Sequence, residues 1–342
     1  MSKVTGKRLA KPETLVIEES LRRFSDVAYQ ICTAGQIVAG GNCCTPFQVS
    51  SVTKTIGALL VLVIVEHGYI SLSTKLCEYI PEWSTKPAYC DITISHLLKQ
   101  STGIARHMLS PFQQIDFNLN DIISLPTRFP ELPMFNRECP YFDEHPDFIP
   151  GKLPTYYVPE TYLLLSYVLE LSLKNSKYAQ DNRYYHSSAL VKFFFKEILE
   201  PKNIHPDWLT IHHSLGKNVS LLILAGLSAW TADQLMKLAQ IMLKDCYYDK
   251  LLQPAICPSP THGVRYGLSV WYDGPYFTDE IGFNEGEPAV LMGVGLGGYH
   301  RIFLCKNCDL AIVCIGGTST SEAEQSQLDH IVLTQVKKCN NV

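Results

Sequence analysis

The stretch that decides the fold reads Phe47-Gln48-Val49-Ser50-Ser51-Val52-Thr53-Lys54. It runs directly into an apolar segment at residues 56–65, which predicts a buried helix that ends near Gly68. Residues three positions apart lie on one face of a helix, so the side chains of Ser51 and Lys54 can meet at its first turn.

This pair of residues suggests nucleophilic chemistry. A serine hydroxyl is a weak nucleophile near neutral pH until a base removes its proton. Burial disfavours a charged ammonium, so a Lys54 packed against the leucines of the helix would become such a base. The pair predicts acyl transfer through an acyl-serine intermediate. Because Ser-x-x-Lys is short and also occurs by chance, the surrounding sequence has to support it.

The segments that follow the helix supply this support. They read His67-Gly68-Tyr69-Ile70-Ser71-Leu72, Tyr79-Ile80-Pro81-Glu82-Trp83 and Ile92-Thr93-Ile94-Ser95-His96-Leu97-Leu98, with Ser101-Thr102-Gly103-Ile104 behind them. In this order the sequence resembles the serine beta-lactamase-related family, which includes class C beta-lactamases, penicillin-binding-protein-like esterases and D-amino-acid peptidases. Later family motifs are matched at residues 150–151, 157–165, 198–201, 225–233 and 266–271, so the resemblance covers roughly residues 20–335.

The resemblance implies the fold class and the division into domains. The class is α+β, with the beta-lactamase/transpeptidase-like arrangement of an antiparallel sheet flanked by helices and a second, mostly helical domain. Residues 12–100 and 225–340 would form a discontinuous sheet domain. Residues 101–224 would form the helical domain, with a long proline-rich loop at residues 105–156 beside the site.

Hydrophobic periodicity and turn residues predict the individual elements. Helices are expected at residues 12–24, after Ser51, and at 93–100, 161–174, 187–199, 231–244 and 321–336. Two hairpins are expected, one pairing residues 26–32 with 36–39 and the other pairing 299–304 with 310–315.

The resemblance also implies catalytic roles. Ser51 would be the nucleophile, Lys54 the base, and Tyr157 the proton relay of the family's Tyr-x-Asn motif. Counting from Pro150-Gly151 instead places Tyr156 at that position. In either alignment the asparagine is replaced, by Pro159 or by Val158, and neither residue offers a side-chain amide to a substrate.

A glycine-rich segment at residues 292–298 stands where relatives carry a cationic third motif. No cation is present, and the first motif position is Met292, Gly293 or Val294, depending on the alignment. Glycines still allow close backbone approach, so the N–H of Ser51 and one at Leu296 or Gly297 could form an oxyanion hole. Substrate contacts are expected from Gly295, His300 and Arg301, although a strand directs only one of the last two toward the site.

The same segment also begins like a dinucleotide-binding loop. Such a loop requires a helix after it, whereas the residues that follow predict a β-hairpin. Phosphate binding is therefore disfavoured.

Composition excludes several other classes. The net charge is -4, and no basic run carries interleaved aromatic residues, so nucleic acid is not an expected partner. The longest apolar run is too short to span a bilayer. His-x-x-x-His patterns are absent, and Cys305-x-x-Cys308 has no second pair, so neither a metal nor a cofactor is expected. Twelve scattered cysteines without a secretion signal favour free thiols and a cytoplasmic location.

Three functions are compatible with these observations. The first is a serine hydrolase or acyltransferase that acts on a small ester, amide or thioester. The second is a catalytically inactive binding or scaffold protein on the same fold, suggested by the lost asparagine and cation. The third is a true beta-lactamase or D-Ala-D-Ala peptidase, which the missing cation disfavours because it would bind the substrate carboxylate. The sequence does not define the acyl group, the acceptor or the oligomeric state.

Overall fold

The structure is a computed structural model of the 342-residue chain. It describes residues 11–24, 26–102, 104, 123, 125–128, 161–181, 188–205, 224, 228–253, 265–273, 290–295, 299–317 and 321–340.

The helices follow the predicted order. They are α1 (Lys11–Leu21), α2 (Val52–Glu66), α3 (Pro87–Cys90), α4 (Ile94–Leu98), α5 (Leu125–Arg128), α6 (Thr161–Leu173), α7 (Ala189–Phe194), α8 (Ala232–Met242), α9 (Asp245–Leu251) and α10 (Glu322–Asn340). Short 3-10 helices cover Leu76–Glu78, Pro81–Trp83 and Glu200–Lys202, and α7 continues into a π-helical turn at Phe195–Leu199. None of the helices within the described ranges is both long and apolar enough to cross a membrane.

The strands form one large antiparallel sheet and one small one. They are β1 (Val27–Thr33), β2 (Gln36–Gly41), β3 (Phe47–Gln48), β4 (Ala229–Trp230), β5 (Arg265–Tyr266), β6 (Trp271–Tyr272), β7 (Leu291–Gly295), β8 (His300–Cys305) and β9 (Leu310–Gly316). The seven-stranded sheet has the order β2-β1-β9-β8-β7-β6-β5, and β3 pairs with β4. Both predicted hairpins are confirmed, as β1–β2 and β8–β9.

The two faces of the large sheet are covered by different helices. Along β8, Ile302 and Leu304 pack into the core that contains α2, whereas Phe303 and Cys305 pack into the core that contains α1 and α10. This alternation follows from the period of two residues in a strand. The predicted α+β architecture, an antiparallel sheet flanked by helices, is therefore confirmed.

Helix α2 lies at the centre of the molecule. Every residue from Val52 to Ile64 is buried, which agrees with a helix that is apolar on all sides. Its first turn faces β7, and contacts farther along reach α9. The central helix thus presents its N-terminal end, with Ser51, to the sheet.

Candidate active site

Ser51 and Lys54 meet at the start of α2. Lys54 Nζ donates a hydrogen bond to Ser51 Oγ at 2.9 Å, so the proximity predicted from helical spacing is observed. The Ser51 side chain makes no capping hydrogen bond to the helix backbone. Lys54 is only 1% exposed, as expected for a lysine packed against the helix leucines.

The residue before Ser51 adopts an unusual backbone conformation. Ser50 has a φ of 48°, in the left-handed region that costs a non-glycine residue roughly 1–2 kcal/mol. Thr53 Oγ1 lies 2.7 Å from the Ser50 carbonyl oxygen, to which it donates, and 2.6 Å from Ser228 Oγ. These contacts fix the sharp turn that delivers Ser51 to the mouth of the helix.

Tyr162 is a site residue that the sequence analysis did not identify. Lys54 Nζ lies 5.5 Å from the centre of its ring, within the range of a cation–π contact. The phenol hydrogen-bonds the hydroxyl of Ser269 and donates to the carbonyl of Leu98 at 3.4 Å. Burial raises the pKa of Tyr162 to about 12, with the hydrogen bond from Ser269 opposing this shift, so the phenol is neutral.

Strand β7 approaches α2 closely because two of its residues are glycines. A Cβ at Gly295 would lie 2.4 Å from the carbonyl oxygen of Val49, and a Cβ at Gly293 would lie 2.6 Å from Thr55 Oγ1. Of the three residues that could begin the third motif, only Gly293 faces α2, since Met292 and Val294 pack into the opposite core. Thr55 thus fills the space beside this position, and its hydroxyl donates to the Ser269 carbonyl at 2.8 Å.

Arg301 lies on the wrong face of the sheet for the substrate contact predicted for it. Its guanidinium is buried and forms an ion pair with Asp329 of α10, with Nε to Oδ1 at 3.0 Å. A second nitrogen donates to Gln325 Oε1 at 3.0 Å. The sequence allowed only one of His300 and Arg301 to face the site, and the strand period directs Arg301 toward α10. Arg301 nevertheless contacts the Gly295 carbonyl, at 3.5 Å, where β7 ends.

His300 lies on the face that packs toward α2. A Cβ added at Gly295 would lie 2.8 Å from the Cβ of His300. The Nδ1 of His300 accepts a hydrogen bond from the Gly316 N–H at 3.3 Å. Burial, helped by the nearby charge of Arg301, lowers the pKa of His300 to about 4. The side chain is therefore neutral at pH 7, so it does not replace the missing cation.

The remaining predicted site residues, Tyr156, Tyr157, Leu296 and Gly297, lie outside the described residues. Within the described part of the chain, no group of three or more His, Cys, Asp or Glu side chains could hold a metal ion. What the described residues assemble is a hydroxyl, a buried amine and a closely approaching strand. Such an arrangement can activate a serine and leave backbone donors near a developing oxyanion.

Comparison with known proteins agrees with this geometry. Residues 32–171 match the family model described as Beta-lactamase. The match includes α2 and both residues of the Ser51–Lys54 pair. The comparison with curated proteins found no match.

Solved structures with the same fold cover nearly the whole chain. EstCE1, a hydrolase with promiscuous acyltransferase activity, aligns with a TM-score of 0.64 at 15% identity, covering 95% of this chain and 98% of that one. The octameric penicillin-binding protein homologue from Pyrococcus abyssi aligns with a TM-score of 0.62 at 16% identity, covering 96% of this chain and 77% of that one. A beta-lactamase/D-alanine carboxypeptidase from Pseudomonas syringae aligns with a TM-score of 0.58 at 14% identity, covering 94% of this chain and 99% of that one.

Over residues 32–171 the chain is therefore similar to the Beta-lactamase family. Its fold is the beta-lactamase/transpeptidase-like fold that the sequence resemblance implied. At these identities the structural likeness establishes the fold of this protein, while its reaction has to be argued from its own residues.

Proposed function

We propose that this protein is a serine hydrolase or acyltransferase that acts on a small, uncharged ester, amide or thioester through an acyl-serine intermediate. The observation that carries the proposal is the 2.9 Å hydrogen bond between Lys54 Nζ and Ser51 Oγ, made by a lysine that is 1% exposed. Burial disfavours the ammonium form, so it prepares Lys54 to accept the serine proton.

The reaction follows from these positions. Ser51 Oγ attacks the carbonyl carbon of the substrate as its proton passes to Lys54 Nζ. The carbonyl oxygen becomes an oxyanion, which backbone N–H groups at Ser51 and at Leu296 or Gly297 would stabilise. When the intermediate collapses, the bond to the leaving group breaks and the leaving group takes up a proton, with Tyr157 or Tyr156 as the proposed relay. Water, or another acceptor, then attacks the acyl-serine and releases Ser51.

The region around β7 supports an uncharged substrate. The third-motif position that faces α2 is Gly293, and a side chain there would collide with Thr55. His300 has its pKa lowered to about 4, and Arg301 is paired with Asp329 on the far face of the sheet. Among the described residues near β7, neither His300 nor Arg301 thus offers a substrate carboxylate the cationic partner that a true beta-lactamase or D-Ala-D-Ala peptidase requires.

The experiment combines an active-site probe with a substrate series. A fluorophosphonate probe and p-nitrophenyl esters of increasing acyl length are tested on the wild type, with the modified residue identified by mass spectrometry. The expected result is labelling at Ser51 and ester turnover, both absent from Ser51→Ala. Ser172→Ala, which changes a serine of similar exposure that bonds the Leu169 carbonyl, should retain both.

Lys54 provides the second arm of the test. Loss of a general base costs roughly 10²–10⁴ in rate, so Lys54→Met should lower turnover by about this factor. Lys192→Met removes another buried lysine, 8% exposed in α7, and should change turnover little. An unlabelled, inactive wild type would instead favour the inactive binding protein, which the replacement of the motif asparagine by Val158 or Pro159 suggests. Rapid cephalosporin turnover would contradict the uncharged-substrate assignment.

A further inference from the structure

Two cysteines lie close together in a part of the molecule that the acyl-transfer proposal does not use. Cys77 is in the 3-10 helix Leu76–Glu78, and Cys90 is the last residue of α3. The Cys77 thiol donates to the Cys90 carbonyl oxygen at 3.3 Å. Both cysteines are free and partly exposed, so small reagents in solution can reach them.

The backbone on either side holds the two segments together. Lys75 and Thr93 form an antiparallel bridge, and the N–H of Leu76 donates to the carbonyl of Ile92 at 2.8 Å. Disulfide formation requires two cysteines whose backbones are already close. The bridge between Lys75 and Thr93 and the bond between Leu76 and Ile92 hold the backbones of Cys77 and Cys90 close together.

The two thiols have unequal environments. Burial, and then the hydrogen bond to Cys90, raise the pKa of Cys77 to about 11. Lys75 lies close enough that both cysteines, after its main partner Asp91, contribute to raising the pKa of its ammonium. Because its raised pKa keeps the Cys77 thiol protonated, we assign Cys90 as the sulfur that reacts first.

We propose that Cys77 and Cys90 are a peroxide-sensitive modification site that closes reversibly to an intramolecular disulfide. This proposal is independent of the acyl-serine mechanism.

The chemistry proceeds in two steps that consume one hydrogen peroxide. The Cys90 thiolate attacks a peroxide oxygen, the O–O bond breaks, and hydroxide leaves and is protonated to water, giving a sulfenic acid at Cys90. The Cys77 sulfur then attacks the Cys90 sulfur, the S–O bond breaks, and a second water leaves as the S–S bond forms. Two thiols lose two protons and two electrons, which reduce the peroxide to two waters.

A second thiol pair serves as an internal control. Cys305 and Cys308 also lie close together, at the β8–β9 turn, but each is only 1% exposed. Reaction with peroxide requires access to the sulfur. The two pairs therefore separate the effect of proximity from that of exposure.

The test treats the full-length protein with limiting hydrogen peroxide, alkylates the remaining thiols, and maps peptides without reduction. The expected product is a cross-linked peptide containing Cys77 and Cys90, which disappears after dithiothreitol, while Cys305 and Cys308 are still alkylated. Preferential oxidation of Cys305 and Cys308, or overoxidation of Cys90 without a cross-link, would overturn the proposal.

Single variants test the order of the steps. In Cys77→Ser, dimedone should trap a sulfenic acid at Cys90, and in Cys90→Ser the trapping at Cys77 should be about tenfold lower, since thiolate content controls the rate. Trapping that is equal, or greater at Cys77, would contradict the assigned nucleophile. Circular dichroism checks that each variant is folded, and the wild-type peptide map remains decisive if a variant is not.

Discussion

At the scale of single residues, two opposing influences act on the charge of Lys54, the ring of Tyr162 and burial. The Ser51 hydroxyl accepts its hydrogen bond at 2.9 Å, and the ring of Tyr162 lies 5.5 Å away. A ring face attracts a cation, so Tyr162 favours the ammonium form, whereas burial favours the amine. The Tyr162 ring and burial therefore act in opposite directions on the protonation of Lys54, and a substitution that alters either one should change it.

Substitutions at Tyr162 test this balance. Tyr162→Leu removes the ring, so the acidic limb of the pH profile of kcat/KM should move to lower pH. Tyr162→Phe keeps the ring and removes only the hydroxyl. The buried hydroxyl of Ser269 and carbonyl of Leu98 then each lose a hydrogen-bond partner. This variant should lose about 1–3 kcal/mol of stability with an unchanged pH profile. An identical pH profile in the leucine variant would show that the ring does not influence Lys54.

His300 makes the folded protein sensitive to acid. Its pKa is about 4 in the folded state against 6.5 ordinarily, so the unfolded state binds more protons between these values. Stability should therefore fall as the pH drops from 6.5 to 4, by up to roughly 3 kcal/mol. Urea denaturation between pH 6.5 and 4 should show that the free energy of unfolding depends less on pH in His300→Gln than in the wild type. His330→Gln, at an exposed position of α10, should retain the wild-type dependence.

At the scale of elements, the contact between β7 and α2 depends on the absence of two side chains. Gly293→Ala should lower both activity and stability, the latter by about 1–3 kcal/mol, because the new methyl group meets Thr55. Adding Thr55→Ala should restore part of the loss, since the obstructing hydroxyl is removed. Turnover and denaturation midpoints of the single and double variants measure this coupling.

Gly295→Ala and Gly57→Ala are the matched comparisons. At Gly295 the obstacle is the backbone carbonyl of Val49, so Thr55→Ala should give no rescue there. At Gly57, inside α2, a methyl group would meet Leu224 at an ordinary 3.4 Å and improve helix propensity, so stability should hold or rise. Equal losses in all three glycine variants would contradict the close-approach explanation.

The elements also show what local sequence can predict. Helical spacing predicted the contact between Ser51 and Lys54, and turn residues predicted the β1–β2 and β8–β9 hairpins. The pairing of β3 with β4 and the position of Tyr162 were missed because they join residues more than a hundred positions apart. The sequence left open whether His300 or Arg301 faces the site, because the face of a strand depends on its register with neighbours, which periodicity alone does not give.

At the scale of the whole molecule, α10 is attached to the sheet through a buried ion pair. Asp329 and Arg301 are each less than a tenth exposed, and burial raises the pKa of Asp329 while Arg301 opposes this shift. Arg301→Met should therefore cost about 3–5 kcal/mol, because it leaves a buried carboxylate uncompensated. The double variant Arg301→Met/Asp329→Leu should recover most of this loss. Equilibrium denaturation tests the pair, and a double variant as unstable as the single one would contradict the argument.

The strand order of the sheet has a consequence for how the protein is made. β1 pairs along its whole length with β9, which follows it by almost the entire chain. At about 5–20 residues per second, the β1–β2 hairpin leaves the ribosome on the order of tens of seconds before its second partner exists. During that interval one edge of β1 is unpaired and open to association with other chains. Translation products truncated before β9 would share this exposed edge, and those truncated before β7 would also lack the strand beside the Ser51 helix.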